Sequence, residues 1–114
     1  MRHLIKVFKA LSDVNRLRIL QMLEVRPLCV CEITEVLQLA PSTVSKHLAL
    51  LRDAGLILDE KIGKWVNFST NDAPNQSYVS QLLPLLQQWL PDDPQIQRDR
   101  EKVLAVDRDQ LCKS

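Results

Sequence analysis

The stretch PLCVCEITEVL, residues 27–37, sets Cys29 and Cys31 one residue apart. Thiolates are soft ligands, so a close pair suits thiophilic metals and metalloids. In a regular helix each residue turns the chain by about 100°, and the two sulfurs would point to opposite sides. The frame Cys29-Val30-Cys31-Glu32 has instead the spacing of a capping box, with cysteine where serine or threonine normally stands and Glu32 at N3. Cys29 is then the N-cap and Cys31 is N2. N-cap backbone is not helical, which leaves both sulfurs able to turn toward one point. The partial positive charge of a helix N-terminus is expected to favour thiolate over thiol. Two other roles stand beside ligand binding. The pair can pack as small apolar residues, or act as a redox switch, for which a bond between the two cysteines themselves would be strained. The third cysteine, Cys112, is a candidate third ligand or a surface thiol without function. A small thiol such as glutathione could complete a thiolate site in its stead.

These residues need a scaffold. A chain of 114 residues fits one domain with a core of its own. Hydrophobic residues make up 46% and charged residues 25%, as in ordinary soluble proteins. No apolar run approaches the roughly 20 residues of a membrane span, and MRHLIKVFKALSD is too amphipathic for a secretory signal. The expectation is a cytoplasmic protein without a membrane partner, whose thiols stay reduced. The odd cysteine count also argues against a closed disulfide framework. The net charge of +1 divides into +3 over residues 1–70 and −2 over 71–114. A mildly basic half permits nucleic-acid binding without establishing it.

Leu4, Ile5, Phe8 and Leu11 recur at helical spacing, and Ser12-Asp13 is a break with good N-cap residues. A second helix runs to about Glu24 with Leu17, Leu20 and Leu23 on one face and Ile19 beside them, and Pro27 closes it. A third spans Val30 to Leu37, with Ile33, Val36 and Leu37 inward. A fourth opens at Pro41, a residue suited to the first helical position, and stops at Gly55. It carries Val44, Leu48 and Leu51 inward. Two helices across a tight turn outline a helix-turn-helix. Alternation of Val66 and Phe68 with Asn67 and Ser69, and Gly63 between two β-type runs, predict a hairpin from about Leu56 to Ser69. The fold class is therefore mainly α with a β-hairpin, a winged helix-turn-helix. Farther on, Tyr78, Leu82, Leu85, Leu86 and Trp89 share a face, with Pro84 expected to kink or divide the helix. PDDP breaks the chain before a last, largely polar helix with only Ile96, Val103, Leu104 and Val106 to bury. One domain over 1–114 is expected, with about 4–69 forming the winged helix-turn-helix core that carries the cysteine pair and about 75–112 the C-terminal helices.

Ser42, Thr43, Ser45 and Lys46 lie opposite Val44, Leu48 and Leu51 at the N-terminal end of the fourth helix, where a recognition helix meets base edges. Serine and threonine reach bases or phosphates, and lysine reaches phosphate or guanine. For each residue alone, a solvated polar face is the better explanation; the order of elements favours DNA. His47 is a candidate for packing, phosphate contact or base contact. Lys61 and Lys64 flank the hairpin tip, within reach of flanking phosphates. No paired catalytic constellation or phosphate loop is present, which argues against an enzyme.

Together LCVCEI, STVSKHLALLRDAGLI and GKWVNF resemble the ArsR/SmtB family of metal-sensing transcriptional repressors, most nearly its arsenic-responsive members with a Cys-Val-Cys box. The resemblance is close from Leu4 to Phe68 and covers the last 45 residues only in character. It implies a homodimer that binds an inverted-repeat operator and lets go when a thiophilic metal or metalloid binds. As(III) is the implied inducer, with Sb(III) as a further candidate and no organic cofactor. One departure stands out. Arsenic sensors most like this chain carry a third cysteine three residues after the box, and here Thr34 occupies that position. A cadmium- or lead-responsive repressor of the same family is the alternative, although the N-terminus offers His3 rather than cysteines. A redox-sensing regulator using the same thiols is another. Zinc- and nickel-type sites need histidines on the later helices, and none follows His47.

Overall fold

In the computed structural model, residues 1–111 are described, in the order α1 (Arg2–Leu11), α2 (Val14–Val25), β1 (Leu28–Cys29), α3 (Val30–Leu37), α4 (Pro41–Asp53), β2 (Ile57–Ile62), β3 (Trp65–Thr70), α5 (Ser77–Trp89), α6 (Pro94–Ala105) and α7 (Arg108–Leu111). Local chemistry sets most boundaries. Asp13 caps α2, its Oδ1 accepting from the N–H groups of Asn15 (2.8 Å) and Arg16 (3.2 Å). Pro41 opens α4. Gly55 leaves α4 with φ +81°, which Gly adopts without steric cost. Asp93 caps α6 through the N–H groups of Gln95 and Ile96.

The inward faces of α2, α3 and α4 supply the core, which buries Ile19, Leu20, Ile33, Val36, Val44, Leu48 and Leu51. These are the residues whose 3.6-residue spacing marked them as inward. β2 and β3 pair antiparallel from Ile57↔Thr70 to Ile62↔Trp65. Their two-residue turn has positive φ at Gly63 (+62°) and not at Lys64, the pattern of a type II′ hairpin turn. The winged helix-turn-helix is thus present, with one addition. Leu28 and Cys29 pair with Phe68 and Asn67, so the wing is a three-stranded sheet in the order β1-β3-β2.

The C-terminal half departs from expectation in three places. α5 runs unbroken through Pro84, whose side chain is exposed. The last helix is two: Val106 is extended (ψ 146°), and Asp107 starts α7 by accepting from Asp109 N–H at 2.9 Å. Leu104 is 75% exposed rather than buried, because α6 turns Ile96, Asp99 and Val103 inward against α2. Asp99 is fully buried and held by Arg18 from α2. Among the described residues, no helix is long and apolar enough to cross a membrane.

Candidate sensor box and nucleic-acid interface

Cys29 stands at the N-cap of α3 in extended backbone (φ −91°, ψ 169°), and the capping box closes in both directions. Its sulfur accepts from the Glu32 backbone N–H, and Glu32 Oε1 accepts from the Cys29 N–H at 3.0 Å. A box of this kind satisfies two N–H groups that a helix start leaves open. Glu32 is itself 3% exposed and is neutralised by Arg26, whose Nη1 lies 2.9 Å from Oε2. Arg26 reaches onward: its Nη2 donates to the carbonyls of Val103 (2.9 Å) and Val106 (3.0 Å) at the end of α6. Sequence reasoning found the box but missed Arg26, because an arginine just after a helix gives no sign of which distant carboxylate it meets.

The protonation of Cys29 runs against the helix-terminus expectation. Burial pushes its thiol above the ordinary range; the backbone N–H groups of Glu32 and Cys31 pull it down, and the Glu32 carboxylate adds to the rise. Burial therefore outweighs the helix end. Cys31, half-buried at N2, takes part in a disulfide, contrary to the expectation of reduced thiols throughout. An odd cysteine count forbids complete pairing but not one bond. Cys112 lies outside the described residues. Among the described residues, no three His, Cys, Asp or Glu side chains gather as a metal site. Thr34, where a third sulfur would stand, has a buried hydroxyl without a hydrogen-bond partner among the described residues. His3 sits elsewhere, with its ring nitrogens bonded to the Tyr78 hydroxyl and the Ala54 carbonyl.

On α4, Ser42, Thr43, Ser45 and Lys46 are all exposed on the face opposite the buried Val44, Leu48 and Leu51. Lys61 and Lys64 are exposed at the wing. His47 is half-buried, and Arg16 Nη1 lies 3.1 Å from its Nδ1. The same guanidinium donates to the carbonyls of Ala10 (2.7 Å) and Lys9 (3.1 Å). His47 thereby ties α4 to α1 and α2, and Arg16 is the contact that sequence reasoning missed.

A model described as "Bacterial regulatory protein, arsR family" matches residues 13–58. The arsenic resistance transcriptional regulator ArsR1 of Pseudomonas putida is 37% identical over 91 residues, covering 76% of this chain and 71% of that protein. The chain belongs to the arsR family. The arsenical resistance operon repressor of Escherichia coli is 48% identical over 65 residues, but the match spans only 56% of each protein. Among solved structures, HlyU from Vibrio cholerae superposes with a TM-score of 0.65 at 30% identity, covering 78% of this chain and 92% of that one. Membership accounts for the joint presence of a Ser/Thr-lined α4 and a paired wing, and it places the chain among DNA-binding regulators rather than enzymes.

Proposed function

We propose that this chain is a homodimeric transcriptional repressor of a metalloid-resistance operon, released from its operator when As(III) binds Cys29 and Cys31. The observation that carries the reading is the cysteine at the N-cap of α3, the first helix of the helix-turn-helix. Similarity to two arsenic-resistance regulators supports it. Once two equivalents of a small-molecule thiol have reduced the disulfide of Cys31 by exchange, leaving as their own disulfide, each thiol forms one As–S bond, and its proton leaves with an arsenite hydroxyl as water. As(III) prefers three sulfurs; Cys112 is the leading third ligand, with an external thiol in its place otherwise. Ser42, Thr43, Ser45 and Lys46 read the operator, Lys61 and Lys64 hold the flanking backbone, and His47 seats the helix.

The dimer uses α1 and α5. Ile5 (47% exposed), Phe8 (49%) and Trp89 (63%) are more apolar surface than these two helices need in solvent. A two-fold axis then sets two recognition helices about 34 Å apart, one turn of DNA, which calls for an inverted repeat.

The test is a titration of the fully reduced protein with arsenite, followed by sulfur-to-arsenic absorbance and by operator binding. Stoichiometric binding with loss of operator affinity is expected. Antimonite, Cd(II) and Pb(II) are run alongside. Release by Cd(II) or Pb(II) and not by arsenite overturns the metalloid assignment. A second reading rests on the disulfide at Cys31: a thiol-based redox regulator. Equal operator affinity for the oxidised and reduced protein would rule it out.

A further inference from the structure

We propose that Arg108 is a positioning residue that couples the sensor box to the wing. The inference rests on the reading that Cys29 and Cys31 hold the inducer, and it adds the route by which the DNA-reading surface learns of it.

Cys29 is a member of the wing sheet as well as of α3. Its register partner on β3 is Asn67, which in turn faces Glu60 on β2. Arg108, the first residue of α7, donates from Nη1 to Asn67 Oδ1 at 2.8 Å. Its guanidinium lies 5.6 Å from the centroid of the Trp65 ring, two residues back along β3 and on the same face of the strand. Lys64 Nζ lies 5.0 Å from that ring, so a lysine assigned to DNA rests on the residue that Arg108 holds.

Arg108 is tied to the box from its other side. Arg26 binds Glu32, which accepts from Cys29, and the same Arg26 binds the carbonyl of Val106, two residues before Arg108. The contacts form a closed ring: Cys29, Glu32, Arg26, Val106, Arg108, Asn67 and back to Cys29 through the β1–β3 ladder. The ring bounds a polar cleft of about 600 Å³. α7 also packs on α3. A ligand that shifts the start of α3 therefore moves β3 through two connected paths, and Arg108 fixes the side chains of β3 to the second.

The experiment measures operator affinity with and without arsenite, and arsenite binding by absorbance, on reduced full-length protein. Arg108→Gln removes the charge and most of the donor fork, and Asn67→Ala removes its partner. Each variant is expected to bind arsenite as wild type does. The factor by which arsenite weakens operator binding should fall at least about fivefold, within the range seen for residues that modulate coupling. The double variant should lose no more than either single one, as for two residues acting through one contact. A lower melting temperature with the arsenite factor unchanged assigns Arg108 a purely structural role and overturns the proposal. Additive losses in the double variant overturn it as well. Absent arsenite binding in the wild type instead defeats the parent reading and removes the ground of this one, an outcome told apart because absorbance reports binding independently of DNA.

Discussion

Arg18 grips the fully buried carboxylate of Asp99 with two N–H groups, Nε to Oδ2 at 2.8 Å and Nη2 to Oδ1 at 2.9 Å. Gln95 Nε2 adds a third donor at 2.9 Å. The pair fastens α6 to α2, and the carboxylate in turn raises the guanidinium pKa above its ordinary value. Asp99→Ala leaves Arg18 largely buried without its counter-charge. Loss of one partner of such a pair costs about 3–5 kcal/mol, read from the denaturant midpoint. A change below about 1 kcal/mol, the scale of a surface pair, would show that α6 is held by its apolar contacts alone.

Asp13 gives a pH dependence. Partial burial raises its carboxyl pKa, but the N–H groups of Arg16 and Asn15, with the nearby Arg16 charge, outweigh that and hold it below the ordinary 3.8. A group whose folded-state value is depressed stabilises above its unfolded value and loses that contribution as pH falls through the folded one. Unfolding followed from pH 6 to pH 2 should show a decline below about pH 4 that Asp13→Asn flattens while still capping. Asp13→Ala should cost about 1 kcal/mol at neutral pH.

Cys29→Ser separates capping from sensing. Serine caps well, so the variant should fold, bind operator and ignore arsenite. Cys31→Ser should do the same. Cys112→Ser divides the models: complete loss of response makes it a ligand, and a normal response leaves the third position to an external thiol. Operator release by both box variants at the wild-type arsenite concentration would place the inducer elsewhere.

Thr34→Cys replaces a buried, unpartnered hydroxyl with a thiol of similar size. An unsatisfied buried hydroxyl is a liability of roughly 1–3 kcal/mol, so stability should hold or rise. With three sulfurs available on α3, arsenite should bind more tightly and with less dependence on Cys112. Affinity in a Thr34→Cys, Cys112→Ser double variant no better than in Cys112→Ser alone would mean that residue 34 does not face the site.

Ser45→Ala and Lys46→Ala should each weaken operator binding by about 1–3 kcal/mol if the side chain reaches a base. Their melting temperatures should stay at the wild-type value, since both side chains are exposed. Should Lys46 meet only phosphate, its loss weakens all sequences alike and lowers the salt slope by about one. Intact affinity in both variants would move the interface off α4.

The parts of this fold that were legible in the sequence are those set by local rules. Asp13 and Cys29 cap, Pro41 and Gly55 bound α4, and Val44, Leu48 and Leu51 turn inward because a helix repeats every 3.6 residues. What escaped depends on partners distant in sequence. β1 is two residues long and owes its existence to β3, some forty positions away. The burial of Asp99 depends on Arg18, and the rise in the Cys29 pKa depends on how much protein covers it. The tie between His47 and Arg16 had no local signal, since a histidine on a polar face looks the same whether it meets DNA or another helix.

Arg16 gives α1 and α4 a fixed angle: one guanidinium holds the last turn of α1 by two carbonyls and the recognition helix by His47. The half-exposed Ile5 and Phe8 lie on that same α1. In the proposed dimer, the partner seated on them therefore also sets the azimuth of Ser45 and Lys46 about the DNA axis. On the proposed reading, the spacing between operator half-sites follows from the pitch of an arginine strut, not from the residues assigned to the bases.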